Sequence, residues 1–370
     1  MNHHVGVKIK IIFFIFCISN SAIPQNVYNG FLKEFYLDRQ PSVKAIEMGR
    51  GLVASPECEF SSWYNPATAG LSEPVTANFS NISPTNRIHF LDYGVAFNSG
   101  KFGAIGFNIS STVFVSSGFD MQSEEAALYN INYAYQPVKN FFAGVNLNIL
   151  TLKGYPESQS LYPIDIGVLK IFEFPNTKHT VQKLTIGSSL YDINNVKYDY
   201  SEIDWSYQFP LPVILRFGAS YNFQYFKTLK PQKRLINLLY HFEIEKLLNS
   251  GLFTTYKTGA EISFIDLVSF RLGYFSRKLF DRSYENLPSE QHQITYGIGL
   301  KFSFSKWSDG LLPIYMQFEY TTIPQPSSVY SGFDNEMSLS VSASGGKSRL
   351  SIFKQNTISY HLFELFLKLT

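Results

Sequence analysis

Ionisable side chains that could pair with one another, hold a metal or move a proton gather between residues 216 and 319. They are Arg216, Glu243, Glu245, Lys257, Glu261, Arg271, Lys301 and Glu319. His241 shares their spacing, two and four residues before the two glutamates. Metal or acid–base chemistry would need partners brought in from other segments, so the bland expectation for His241 is a hydrogen-bonded histidine. The nucleophile elbow, the zinc-protease helix motif, the phosphate loop and paired-cysteine metal motifs are all absent from the sequence. No catalytic residue, cofactor or metal is therefore expected, and the chain does not read as an enzyme. Cys58 reads as a small buried filler rather than a nucleophile.

What must position these charges is a set of segments with period two. In 140–149, Phe141, Ala143, Val145, Leu147 and Ile149 alternate with Gly144, Asn146 and Asn148. In 101–114, Ile105, Phe107, Ile109 and Val113 oppose Asn108, Ser110 and Thr112. In 292–304, Ile294, Tyr296, Ile298, Leu300, Phe302 and Phe304 oppose Gln293, Thr295, Gly297, Gly299, Lys301 and Ser303. Successive strand side chains point to opposite faces, so each run has one apolar and one polar side. About fourteen such segments run from Val75 to residue 342, most near the roughly 9–11 residues that a tilted strand needs to cross a bilayer. Strands of a soluble sandwich are shorter, typically about five or six residues.

Short links such as Ser99-Gly100 and Val138-Lys139 alternate with long ones such as 152–161 and 194–212. Outer-membrane barrels have short periplasmic turns and long extracellular loops, so the parity predicts a periplasmic N-terminus. The stretches 172–182 and 224–235 depart from this rule, being long where short turns are expected. The fold predicted is all-β: an antiparallel transmembrane barrel of about fourteen strands over 75–344, closed because hydrocarbon tolerates no unpaired backbone edge. About eight strands already fill a lumen with side chains, so fourteen leave room for something else, or for a passage. All eight ionisable residues then face that lumen, since a cation on the lipid face would cost about 2–4 kcal/mol at the midplane. They form either an ion-pair network that grips an inner element or lines a path for ligand, or general lumen polarity. The same alternation predicts that Val145→Arg blocks membrane insertion while Asn146→Arg is tolerated.

Composition suits a lipid-facing wall and an all-β soluble protein alike. Aromatics make up 16% of the chain and charged residues only 16%, below the roughly 25% charge of soluble domains. A net charge of +2 offers no basic field for nucleic acid. Residues 1–22 read as a signal peptide, with Lys8 and Lys10 before the apolar run Ile11 to Ile18 and the small exit Ser19-Asn20-Ser21-Ala22. Removal of that leader takes Cys17 and leaves Cys58 alone.

The segment 23–74 lacks alternation and is expected either as a plug inside the barrel or as a loose periplasmic extension. Pro66 holds Asn65 away from helix, and Gly49 and Gly51 allow close approach or positive φ. The stretch 41–71 resembles the N-terminal signature of FadL-like outer-membrane barrels, and of the PorV/PorQ family in particular. Ala45, Met48, Gly49, Val53 and Ala54 match its first part, and Trp63, Tyr64, Asn65, Pro66, Ala67 and Leu71 its close. Ser55-Pro56-Glu57 replaces the usual acidic pair, and Thr68-Ala69-Gly70 follows Ala67. The resemblance implies a fourteen-stranded barrel with its N-terminal segment tucked inside, in the cell outer membrane. It also implies one of two jobs: type IX protein secretion, with secretion-system proteins or exported cargo as partners, or passage of hydrophobic small molecules. Lipid of the outer membrane is a partner on either reading. Trp205, Tyr200, Tyr207 and Phe209 suit either a landing surface or an interfacial girdle. Residues 345–370 are either a closing strand or an appended tail.

Overall fold

The computed structural model describes residues 40–55, 58, 60–85, 88–114, 125–153, 158–202, 205–229, 232–248, 254–278, 290–303, 314–323 and 336–345. The leader at 1–22 and the tail from 346 onward lie outside the described residues.

The chain opens with α1 (Val43–Glu47), α2 (Ser61–Tyr64) and a 3-10 turn at Pro66–Leu71. Strands follow in order: β1 (Val75–Thr85), β2 (Ile88–Asn98), β3 (Ala104–Phe114), β4 (Glu125–Val138), β5 (Phe141–Lys153), β6 (Gln159–Leu161), β7 (Ile164–Glu173), β8 (Thr180–Tyr191), β9 (Lys197–Glu202) and β10 (Trp205–Pro210). The remainder are β11 (Ile214–Leu229), β12 (Gln232–Leu247), β13 (Thr254–Phe264), β14 (Val268–Lys278), β15 (Glu290–Ser303), β16 (Ile314–Ile323) and β17 (Glu336–Gly345). No described helix is long and apolar enough to cross a membrane.

Fourteen of the described strands form one antiparallel cylinder. The ladder runs β1–β2–β3–β4–β5–β7–β8, continues β8–β11–β12–β13–β14–β15–β16–β17, and returns through β17–β1. Each strand thus has a partner on both sides, which is the condition for backbone in hydrocarbon. Alternation sets the faces. On β14, Phe270 and Leu272 are 49% and 58% exposed while Arg271 is 5% exposed, so rings and leucines look out and the guanidinium looks in. An exterior of this kind, on a closed antiparallel ladder, makes the chain an outer-membrane barrel.

The two over-long connections resolve in different ways. β11 and β12 run on past the sequence estimate to Leu229 and Gln232, so 224–235 is mostly strand. Between β7 and β8, Thr177 and Thr180 fasten a short turn through a Thr180 N–H to Thr177 Oγ1 bond of 3.1 Å. β6 and β7 are one strand interrupted at Tyr162-Pro163, because proline cannot donate to the ladder. β9 and β10 form a separate two-stranded sheet in the long-loop end of the barrel.

Candidate functional site

The described residues of 40–74 pack against the inward face of the cylinder. Ser42 caps α1 by accepting from Ala45 N–H, and the helix ends at Met48 and Gly49, whose φ is +76°. A Cβ there would also lie 2.5 Å from both the Thr258 and Tyr274 carbonyl oxygens, so position 49 must be glycine on two counts. Asn65 is extended and caps the 3-10 turn through its side chain. Its amide nitrogen donates to Val53 O at 2.9 Å and to Val168 O at 3.0 Å, tying two parts of the segment to the wall.

The wall receives this segment on three cross-strand glycine pairs, Gly144–Gly167, Gly187–Gly218 and Gly259–Gly273. Asn65 and Pro66 sit on the first pair, Val53 and Ala54 on the second, Met48 and Gly49 on the third. A Cβ on Gly259 would stand 2.6 Å from Met48 O and 2.8 Å from its Cα. Backbone therefore packs on backbone, closer than any side chain permits. The carbonyls of the segment are caught by inward wall side chains: Ala54 O by Ser220 Oγ at 2.8 Å, Tyr64 O by Ser189 Oγ at 2.9 Å, Pro66 O by Asn132 Nδ2 at 3.1 Å. Ser62 O accepts from Asn146 Nδ2 at 3.1 Å.

Charge is concentrated on one side of this assembly. Lys44 Nζ meets Glu261 at 3.0 Å, and Glu47 meets Arg271, which also holds Glu261 and Glu319. Beyond Gly259, Arg216 and Lys257 pair with Glu245 at 2.8 and 2.6 Å, Lys257 with Glu243 at 3.2 Å, and Arg277 with Glu245 at 3.6 Å. Glu243 also accepts from Val53 N–H at 2.8 Å. Five cations and five carboxylates take part in these pairs, so the two clusters together are neutral. The opposite side is an amide ladder: Asn108 to Asn130 at 2.9 Å, Asn130 to Asn148 at 2.7 Å, Asn148 to Asp165 at 2.8 Å. The two walls hold the segment by paired charges on one side and by amide hydrogen bonds on the other.

Toward the long-loop end the lumen turns apolar. Ile82, Phe90, Ala126, Leu128, Leu150 and Leu152, inward on β1, β2, β4 and β5, pack with Val43 and Ile46 of the inner segment, Leu161 of β6, and Tyr198 and Leu211 at the β9–β10 hairpin. Trp63 packs against the same cluster. At the hairpin root Asp192 has φ +50° and Asn195 +48°, both residue types that tolerate this region. The Asp192 carboxylate accepts from Val196 N–H at 3.1 Å, and its own N–H donates to Asp165 Oδ1 at 3.0 Å. Burial pushes the Asp192 carboxyl up to about 7, Asp165 adds to the rise, and the Val196 N–H opposes it.

Of the residues singled out in the sequence, Ala45, Met48, Gly49, Tyr64, Asn65, Pro66 and Ala67 are buried in the inner segment and Trp63 is partly so. Arg216, Glu243, Glu245, Lys257, Glu261, Arg271 and Glu319 come together in the two clusters. Lys301 lies apart from them at the short-turn end of β15, its N–H bonded to Leu267 O at 2.8 Å. His241 departs from expectation: it is 2% exposed and neither ring nitrogen has a hydrogen-bond partner among the described residues. No group of three metal-ligating side chains occurs among the described residues. Cys58 is half-buried against Ala45, Met48 and Leu52. The side chains of Tyr200, Trp205, Tyr207 and Phe209 lie outside the described residues. Asn146 is not a free lumen position: it bonds Ser62, Asn132 and Asp165 and is 1% exposed, so arginine has no room there and the expected tolerance of Asn146→Arg is withdrawn. The paired wall glycines were missed, although their inward parity was visible. A hollow of about 700 Å³ edged by Tyr221, Leu238, Tyr240, Ala260, Phe270 and Leu272 lies on the outward face, against lipid rather than in the lumen.

These features define a class: an outer-membrane β-barrel whose lumen is occupied by its own N-terminal segment. No protein-family model matches the chain, and none of the curated proteins does. Among solved structures, the toluene transporter TbuX of Ralstonia pickettii is 12% identical over 84% of this chain and 97% of that one, with a TM-score of 0.39. The toluene transporter TodX of Pseudomonas putida is 9% identical over 81% and 95%, with a TM-score of 0.38. LpxR from Salmonella typhimurium is 10% identical over 60% and 98%, with a TM-score of 0.37. Likeness this distant leaves function to the chain's own geometry.

Proposed function

We propose that this barrel is a non-enzymatic, FadL-like conduit that takes up or exports hydrophobic small molecules across the outer membrane, with residues 40–74 as its plug. One observation carries the reading: inward positions at the outer ends of β1, β2, β4 and β5 are apolar, where a lumen open to water carries polar groups. Ile82, Phe90, Leu128, Leu150 and Leu152 make an interior that suits an apolar solute and repels an ionic one. The neutral charge clusters below support the same selectivity. The first reading of the sequence, type IX secretion of the PorV/PorQ kind, calls for a wide outer opening and loop surfaces shaped for a protein. No observation on the described residues favours it.

Entry of a lipophilic dye such as N-phenyl-1-naphthylamine into intact cells tests the reading. Cells carrying the protein should take up dye faster than cells lacking it, and Leu150→Asp should abolish the gain, since one buried unpaired carboxylate makes the site hostile to an apolar guest. Equal uptake with the parent and with a folded Leu150→Asp barrel would remove the conduit. Loss of secreted proteins on deleting the gene, with dye entry unchanged, would restore the secretion reading.

A further inference from the structure

The hairpin β9–β10 closes the apolar end of the lumen without belonging to the barrel ladder. Its six residue pairs, Lys197↔Pro210 to Glu202↔Trp205, satisfy its backbone internally, and Leu211 N–H to Val196 O at 2.7 Å extends that ladder to the root. Tyr198 is 2% exposed and Leu211 fully buried in the cluster of Leu150, Leu152 and Leu161. Below the root, the chain is fastened to the wall. Asn194 spans the break in the β6–β7 strand, donating to Tyr162 O at 2.9 Å and accepting from Ile164 N–H at 2.9 Å. Ile193 N–H bonds Ile164 O at 2.9 Å, and Asp192 N–H bonds Asp165. Above the root, Gln159 on β6 clasps the backbone of Asp199, accepting from its N–H at 3.0 Å and donating to its carbonyl.

We propose that β9 and β10 form a hinged lid over the apolar chamber, turning at Val196 and Leu211, with the Asp192–Val196 bonds as its hinge latch and Gln159–Asp199 as its clasp. The proposal rests on the chamber being the conduit's binding site. Swinging the hairpin breaks no barrel ladder bond, because β9 and β10 pair only with each other. It lifts Tyr198 off the cluster of Leu150, Leu152 and Leu161 and opens the chamber to the outside. The fixed stretch 192–195 meanwhile keeps the wall sealed at Tyr162-Pro163.

The test places a reporter beneath the lid. In a chain carrying Cys17→Ser and Cys58→Ser, Leu152→Cys puts a thiol at a position 2% exposed in the chamber. The full-length protein in proteoliposomes is treated with a charged, membrane-impermeant maleimide. Labelling should be slow in this parent and rise by about tenfold on adding Gln159→Ala or Asp192→Ala, each of which removes one fastening of the closed state. Gln159→Ala, on a half-buried side chain, decides the matter if Asp192→Ala does not fold. Labelling rates equal within about twofold across folded variants would overturn the lid. Excess naphthalene should slow labelling in every variant. Acceleration by the latch variants without protection by naphthalene would keep the lid and remove the apolar-solute reading instead.

Discussion

Asp192 couples a proton to folding because its carboxyl is buried beside a second carboxylate. Its folded value is raised to about 7, whereas in the unfolded chain it titrates near the ordinary carboxylate value of about 4. Between those values the unfolded chain releases a proton that the folded chain keeps, so stability falls as pH rises from about 4 to 7 and levels off above that. The groups facing it are Asp165 on β7 and, behind Asp165, Arg216 on β11, which binds the Tyr191 hydroxyl at 2.8 Å. Asp192→Asn removes the titration. The parent's melting temperature minus the variant's should therefore decline across pH 4–7; a flat difference would show that Asp192 ionises normally. His241 carries the opposite lesson about single residues. Sequence placed it inward correctly, but hydrogen-bonding partners depend on how the inner segment crosses the lumen, and no local pattern records that.

At the scale of elements, most of the barrel was legible because lipid outside and polar groups inside impose period two on every strand. Fourteen segments read from alternation coincide with fourteen wall strands, differing mainly at their ends. The ends differ where strands such as β11 and β12 continue past the hydrocarbon, where neither face is forced to be apolar. β6, β9 and β10 were not read at all, being three to six residues long and shaped by what they cover. The glycine pairs are the most instructive gap. Alternation gives the face of Gly187 and Gly218, yet their purpose lies in the Val53–Ala54 backbone that rests on Gly187 and the Val53 side chain that rests on Gly218. Gly187→Val or Gly218→Val should lower folding stability by about 1–3 kcal/mol or more, because the atoms that must move are backbone. Ala219→Val, the outward neighbour, should be near neutral. Heat-modifiable gel migration reads both, and equal yields of folded barrel would mean that the inner segment does not rest there.

For the molecule as a whole, the question is whether a wall of this circumference is sealed. The glycine pairs hold the inner segment by shape, the amide ladder by hydrogen bonds, and Arg271 by charge, since it joins Glu47 of the segment to Glu261 and Glu319 of the wall. Removing one member of a buried network is far worse than replacing the network, and leaves uncompensated charge at a cost of about 3–5 kcal/mol. In Arg271→Ala three carboxylates would lose the guanidinium they share, and the end of the segment bearing α1 should lift from the wall and admit water. In planar bilayers the parent should carry little ionic current, while Arg271→Ala should show discrete current steps. Lys153→Ala, which breaks an exposed pair with Glu125 at 3.5 Å, should behave as the parent does. Large steady current through the parent would mean that the lumen is open despite its inner segment. Silence in both would mean that shape and hydrogen bonds hold the segment without the charge network.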